Sequence, residues 1–318
     1  MLNKDRGMDE KQRYRRQMPI GGKIEFFKSS RDDVTVRFAT WPATSDAPKG
    51  TFIVLPGRTE FIEKYYEVVN ELLERGFAVA AMDWRGQGLS TRPLENREKH
   101  YFKDFATALP DLEQCITDHL RPAMPGPFHL LAHSMGGHLS LRFLHDYPNL
   151  IEKAVMTAPM AGINFEEMPK WIAVALSTIM CKLGLDKSYL AGFGDYEGGR
   201  WGWREKLTSD LERFEDEDYF IKRDHNLALG GITYGWLQAA LSSIKTLHGS
   251  GYPEAIKTPV LVVQAGGDEI VDNVMVTSLA ARLPNGQLRL VPDAMHEILK
   301  EQDQYRVQFW AAFDDFMG

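Results

Sequence analysis

The chain has 318 residues, of which 44% are hydrophobic and 25% are charged, a balance typical of a globular protein with one large core or a core plus an inserted subdomain. Its formal net charge of −7 argues against nucleic acid as a partner. The N-terminus lacks the apolar run of a secretory signal, and no stretch is apolar enough to span a bilayer, so we expect a cytoplasmic protein.

The first twenty residues are charged and show no hydrophobic periodicity. We therefore expect residues 1–20 to form a flexible N-terminal arm. Its basic residues could contact anionic lipid, although a solvated arm is favoured. These residues are Lys11, Arg13, Arg15 and Arg16.

Strand and helix patterns alternate from Gly21 onward. The predicted strands are 23–28, 34–40, 51–55, 77–82, 128–132, 154–157, 259–264 and 287–291, and the predicted helices are 61–75, 102–120, 135–146, 273–282 and 298–316. Such alternation predicts an α/β fold, with a mostly parallel sheet, helices on both faces and an antiparallel hairpin at one edge. Residues 160–251 show mainly helical patterns, which predicts a helical cap inserted into a core formed by 21–159 and 252–318.

The strongest chemical signal is a buried strand that runs directly into Ser134, with a helix starting at once. This strand, tight turn and helix are typical of a nucleophile elbow, in which the serine backbone is strained and its neighbours must be small. Those neighbours are Ala132 and Gly136. Ala132 departs from the usual Gly-x-Ser-x-Gly pattern by a single methyl group.

A serine nucleophile needs a base, and the base needs a carboxylate to orient it. His296 follows the last predicted strand and is the only histidine after Asp268, which itself follows the preceding strand. We therefore predict a triad of Ser134, His296 and Asp268. Glu269 and Asp272 remain rival carboxylates.

The oxyanion formed in acyl transfer needs two backbone N–H donors. We predict that these belong to Met135, next to the serine, and to Arg58, in the loop that follows an early strand. The Arg58 guanidinium could also bind a phosphate or carboxylate. Three histidines lie near the serine, but a metal site is disfavoured because no carboxylate or thiolate accompanies them at ligand spacing. They are His129, His133 and His138.

The first helix of the insert, near residues 169–183, is apolar on most faces. It could pack in the core, line a groove for an acyl chain, or touch a membrane surface transiently. As substrate-binding residues we predict Trp171, Ala175, Ile179 and Trp236. An acidic run at 210–218 is expected to form a solvated face, with a choline-like cation site as the alternative.

These features together resemble the α/β-hydrolase superfamily, and most closely its branch of bacterial lysophospholipases and monoacylglycerol lipases. The segments that carry the finer resemblance are 56–60, 83–90, 207–210 and 235–240. The resemblance implies hydrolysis of a lipid-like monoacyl ester through an acyl-enzyme, with no metal or organic cofactor. A generic carboxylesterase or perhydrolase on the same triad is the alternative, and a receptor that has lost catalysis is disfavoured because the triad is whole. The sequence leaves the oligomeric state open.

Overall fold

The computed structural model describes residues 8–165, 169–198 and 204–318. The strands are β1 (Lys23–Lys28), β2 (Thr35–Trp41), β3 (Thr51–Leu55), β4 (Ala78–Met82), β5 (Phe128–His133), β6 (Lys153–Thr157), β7 (Val260–Ala265) and β8 (Gly286–Val291). They form one sheet in the order β1-β2-β4-β3-β5-β6-β7-β8. β1, β2 and β4 pair antiparallel, and from β4 to β8 every neighbouring pair is parallel. The predicted α/β fold class is thereby confirmed.

Helices connect these strands and form the insert. They are α1 (Glu10–Arg16), α2 (Tyr66–Glu74), α3 (Leu109–Gln114), α4 (Met135–Asp146), α5 (Lys170–Lys182), α6 (Arg204–Leu207), α7 (Leu211–Ile221), α8 (Tyr234–Leu247), α9 (Tyr252–Ala255), α10 (Asn273–Arg282) and α11 (Asp303–Met317). Short 3-10 turns add 62–65, 105–108, 225–227 and 298–300, and 115–120 form a π-helical turn. None of these helices is both long and apolar enough to cross a bilayer.

The central strands are buried along their whole length, as continuous apolar runs predict. Because β3, β5, β7 and β8 all run parallel, their carboxyl ends meet at one edge of the sheet. That edge is where open α/β sheets build their sites. The segments that follow these strands carry Arg58, Ser134, Asp268 and His296.

The N-terminal segment differs from the flexible arm expected for residues 1–20. Asp9 and Gln12 form a capping box that starts α1. Arg15 is buried, and its Nε lies 2.8 Å from a carboxylate oxygen of Asp216, which Arg16 also contacts at 2.6 Å. The expectation is therefore wrong for the described part of this segment, because ion pairs to a distant helix fix it. Residues 1–7 lie outside the described residues.

The insert is helical in its described parts, and its extent as a separate domain over 160–251 stays a prediction. Helix α5 packs on α8, where Ser177 and Thr178 donate hydrogen bonds to Gln238 at 3.1 and 3.0 Å. Helix α8 packs in turn against α4, the helix that begins after Ser134. The insert therefore packs, through α8, on the helix that follows Ser134.

The acidic run 210–218 is only in part the solvated face that its composition suggested, since Glu212 and Glu215 are exposed and the last three carboxylates are not. Asp216 is fully buried, and Glu217 and Asp218 are nearly so. Asp216 pairs with Arg15 and Arg16, and Glu217 accepts from a lysine of the core, Lys64, at 3.0 Å. Protein cations thus occupy the carboxylates of Asp216 and Glu217 that a choline-like ligand would need.

Candidate active site

Ser134 lies in the turn between β5 and α4 with a backbone φ of 51°. A residue with a side chain rarely adopts this conformation, and it costs about 1–3 kcal/mol unless the surroundings enforce it. Here the serine N–H donates to the carbonyl of Thr157 at 3.0 Å, and its carbonyl accepts from Met160 and His138 at 3.0 Å each. These bonds hold the serine in the strained turn of a nucleophile elbow.

The small residue two positions after the serine has a direct steric reason. A Cβ on Gly136 would stand 2.4 Å from the carbonyl oxygen of Leu55 and 2.5 Å from that of Pro56. Ala132, on the other side, is itself buried in β5 and pairs with Leu55 in the sheet. The alanine that departs from the usual motif is therefore accommodated within the sheet.

The three predicted triad residues meet at this edge. The Nε2 atom of His296 lies 2.9 Å from the Oγ atom of Ser134. The Nδ1 atom of His296 lies 2.7 Å from the Oδ2 atom of Asp268. All three side chains are at least nine-tenths buried. This arrangement can transfer the serine proton to the imidazole and stabilise the imidazolium that results.

The electrostatics favour an ionised Asp268. Burial alone would raise the pKa of its carboxyl, but the charge and hydrogen bond of His296 and two backbone N–H groups outweigh burial. The net pKa lies below the ordinary value. For His296, burial lowers the pKa, while Asp268 and then Glu297 and Glu60 raise it, so the net pKa lies above the ordinary 6.5.

The rival carboxylates have other contacts. Asp272 begins α10, and its Oδ1 accepts from the N–H groups of Val274 and Met275 at 2.9 and 3.1 Å. Glu269 is half-exposed and pairs with Lys206 at 3.7 Å. Of the three candidates, Asp268 is the one hydrogen-bonded to His296.

The loop after β3 lies directly against the serine. A Cβ on Gly57 would stand 3.3 Å from the Cβ of Ser134 and 2.9 Å from the His133 ring. The next residue, Arg58, is therefore carried beside the nucleophile, and Met135 follows Ser134 in the chain. The Arg58 guanidinium donates to the carbonyl of Gly230 in the insert at 3.2 Å. Both predicted oxyanion donors belong to segments that touch the serine.

The three neighbouring histidines have structural contacts. His138 contacts the Met160 carbonyl at 3.0 Å and Ser243 at 2.7 Å, and His133 contacts Thr157 at 3.2 Å. Burial holds the pKa of His138 near 3 and those of His133 and His129 near 4. Among residues 8–165, 169–198 and 204–318, no three histidine, cysteine or acidic side chains cluster as metal ligands would.

The predicted substrate-binding residues separate into two places. Trp171, Ala175 and Ile179 share the exposed face of α5, opposite the face that packs on α8. Trp171 is 71% exposed and Ile179 is 55% exposed. Trp236, in contrast, is 4% exposed and packs against the rings of Phe105 and His100. The structure thus brings the first three together on an outer surface and leaves the fourth in the interior.

Sequence reasoning missed a buried cluster beside the site. The ammonium of Lys64 lies 2.9 Å from Glu60, 3.0 Å from Glu217 and 2.8 Å from Glu297. Glu60 belongs to the loop after β3, and Glu297 follows His296. The only local signal was the spacing of four between Glu60 and Lys64, which is common on any helix.

The comparisons with known proteins agree with this geometry. The chain is 30% identical to lysophospholipase L2 of Escherichia coli (strain K12) over 301 residues, covering 90% of this chain and 85% of that protein. It is 28% identical to a probable lysophospholipase L2 of Haemophilus influenzae, covering 92% and 91%. A solved structure of a soluble variant of monoglyceride lipase from Saccharomyces cerevisiae, bound to a substrate analog, superposes with a TM-score of 0.75 at 18% identity, over 95% of this chain and 96% of that one.

A protein-family model also matches most of the chain. The model Hydrolase_4, described as serine aminopeptidase, S33, matches residues 46–303, which include every residue of the proposed triad. The predicted resemblance to the α/β-hydrolase superfamily, in its bacterial lysophospholipase and monoacylglycerol lipase branch, is confirmed. The chain belongs to the Hydrolase_4 family of α/β-hydrolases, and it is a serine hydrolase.

Proposed function

We propose that this enzyme cleaves carboxylic esters of a lipid-like substrate that carries one acyl chain, by way of an acyl-enzyme. The observation that carries the proposal is the continuous line of contacts from Ser134 through His296 to Asp268. In this proposal Ser134 is the nucleophile, His296 the general base and acid, and Asp268 the carboxylate that orients the imidazole.

In the first half-reaction the Oγ of Ser134 attacks the ester carbonyl as its proton passes to Nε2 of His296. The negative charge on the carbonyl oxygen is stabilised by the backbone N–H groups of Arg58 and Met135. The tetrahedral intermediate then expels the alcohol, which takes the proton from the imidazolium. Asp268 stays ionised throughout, as its lowered pKa requires.

In the second half-reaction water replaces the alcohol. His296 removes a proton from water, the hydroxyl attacks the acyl-enzyme carbonyl, and Ser134 leaves with the proton returned by the imidazolium. The products are a fatty acid and the free enzyme. Every step uses groups of the chain and water, so the mechanism calls for no metal or organic cofactor.

The lipid character of the substrate is supported by the names of the sequence relatives, lysophospholipase L2, and by the outer face of α5. Trp171, Ala175 and Ile179 form an apolar stripe on that face. Each methylene group that is removed from water contributes about 0.8 kcal/mol of favourable binding free energy. We propose that this stripe contacts acyl chains at the surface of a micelle or membrane, during a transient encounter from the cytoplasm.

The proposal also covers the roles of Arg58 and Trp236 in substrate binding. Arg58 belongs to the loop that lies against the serine, and its guanidinium donates to the Gly230 carbonyl of the insert. A guanidinium that turned from this carbonyl toward the substrate would favour a phosphate-bearing head group over bare glycerol. Trp236 has almost no exposed surface, so a contact between it and substrate requires α8 to shift when the substrate enters.

The test is a series of monoacyl esters from two to sixteen carbons, with and without a phosphate in the head group. We expect kcat/KM to rise with chain length by at most about fourfold per methylene, the equivalent of 0.8 kcal/mol. Ile179→Ser should flatten the rise, whereas Val307→Ser, which changes a similarly exposed apolar residue on α11, should not.

Three outcomes separate the alternatives. A flat chain-length series leaves a generic carboxylesterase. Equal rates with and without phosphate, unchanged by Arg58→Ala, remove the head-group proposal alone. Labelling by a fluorophosphonate probe that survives Ser134→Ala contradicts the triad assignment, whereas absence of both turnover and labelling in the wild type leaves a receptor.

A further inference from the structure

Lys64 is a buried cation that joins three segments around the site. It lies in the 3-10 turn Ile62–Tyr65 with a side chain that is 3% exposed. Its ammonium, which has three N–H donors, lies within 3.0 Å of the carboxylates of Glu60, Glu217 and Glu297. These belong to the loop after β3, to helix α7 of the insert, and to the segment that follows His296.

Glu60 connects Lys64 to the loop that carries Arg58. Its Oε2 accepts hydrogen bonds from the N–H of Gly57 and from the hydroxyl of Tyr65. Within this loop Thr59 has a φ of 69°, a conformation that residues with side chains rarely adopt. The contacts of Glu60 therefore hold a strained turn in place.

Glu297 connects Lys64 to the segment of His296. Its N–H donates to the Leu207 carbonyl at 2.8 Å, and its carboxylate contacts Lys64 at 2.8 Å. The position of the residue next to His296 is thus fixed at the backbone and at the side chain. Lys64 contacts both this carboxylate and that of Glu60.

We propose that Lys64 is a positioning residue, which sets the loop bearing Arg58 and the segment bearing His296 at working distance from Ser134. This inference rests on the serine-hydrolase mechanism, but not on the lipid nature of the substrate. Lys64 acts through the carboxylates of Glu60, Glu217 and Glu297 that it contacts. Its loss should lower kcat, because the Arg58 N–H and the His296 imidazole would no longer be held in position relative to Ser134. It should leave KM largely unchanged.

The charges around Lys64 give a second readout. Lys64 faces Glu60, Glu217, Glu297 and, at longer range, Lys300, whereas His296 faces Asp268, Glu297, Glu60 and His133. Both Glu60 and Glu297 raise the pKa of His296. Without the lysine charge these carboxylates are no longer neutralised, so the acid limb of kcat/KM should move to higher pH. A variant that only loosens packing would not move it in this direction.

The experiment compares Lys64→Met with Lys64→Arg and with Lys245→Met, an exposed lysine of α8 that controls for net charge. A soluble p-nitrophenyl ester serves as substrate, so a failure of the lipid proposal does not affect the result. We expect Lys64→Met to lose about 10²–10³ in kcat, the size of effect seen when one oxyanion donor is misplaced. KM should stay within about threefold, and the arginine should restore part of kcat.

A second variant keeps the proposal testable if Lys64→Met does not fold. Glu297→Gln leaves Glu60 and Glu217 on the lysine but removes the carboxylate next to His296. It should lower kcat and move the acid limb to lower pH, opposite to Lys64→Met. A folded Lys64→Met with wild-type kcat and pH profile overturns the proposal, and so does a wild-type result for Glu297→Gln. Labelling of wild-type Ser134 by a fluorophosphonate tests the underlying mechanism separately.

Discussion

Replacing Asp268 with asparagine tests the orientation of the base with little change in shape. One carboxylate oxygen, Oδ1, accepts from the N–H groups of Ile270 and Val271 at 2.8 and 3.0 Å, and the other faces Nδ1 of His296. An asparagine has one oxygen, which the two backbone donors would retain. Its NH₂ group would then face Nδ1, so the imidazole proton moves to Nε2. That nitrogen can no longer accept the proton of Ser134.

The expected loss is large. A wrong imidazole tautomer in a serine triad costs about 10⁴ in kcat, or about 5.5 kcal/mol of activation free energy. The assay is the steady-state rate with a p-nitrophenyl ester, normalised to the concentration of folded protein. Thermal unfolding should still be cooperative, because the two backbone hydrogen bonds to the side-chain oxygen persist.

Asp272→Asn is the matched control. It changes a carboxylate of the same loop region that caps α10, and asparagine caps a helix about as well as aspartate. We expect near-wild-type kcat and stability. If Asp272→Asn abolished turnover while Asp268→Asn kept it, the assignment of the orienting carboxylate would be refuted.

Two further predictions concern the base and the elbow. In the free wild-type enzyme kcat/KM should fall as the pH drops through the pKa of His296, with the midpoint above the ordinary 6.5, because the net effect of its neighbours raises that pKa. A pH–rate profile at constant ionic strength checks this, and a midpoint below 6.5 would contradict it. Gly136→Ala should displace the carbonyls of Leu55 and Pro56, cost about 1–3 kcal/mol of unfolding free energy and lower kcat. Ala132→Gly, which restores the usual motif, should keep kcat, as unfolding and rate measurements on both variants would show.

The sequence alone was sufficient to predict the candidate triad residues, because each of them lies in a segment that follows a strand. Ser134 comes directly after β5, Asp268 and His296 lie in the loops that follow β7 and β8, and parallel strands end at one edge of a sheet. The local sequence pattern therefore predicts that these three residues lie at the same edge of the sheet, although it shows none of their contacts. The order β5-β6-β7-β8 then places the three residues in the same half of that edge.

The ionic contacts could not be predicted in the same way. Lys64 is separated from Glu217 by 153 residues and from Glu297 by 233, and Arg15 is separated from Asp216 by 201. A charged residue in a single segment looks solvated unless its distant partner is known. For this reason the N-terminal segment suggested a flexible arm, and the acidic run suggested a solvated face.

The placement of helix α7 shows why such contacts matter for the site. Its consecutive residues Asp216 and Glu217 pair in different directions, Asp216 with α1 and Glu217 with Lys64. Removing one partner of a buried pair costs about 3–5 kcal/mol, because the remaining charge stays in a poorly solvated place. A slip of α7 by one residue would break both pairs at once. Apolar packing alone discriminates weakly between neighbouring registers of a helix. The position of α7 over the catalytic edge is therefore fixed by these ion pairs as well as by apolar packing.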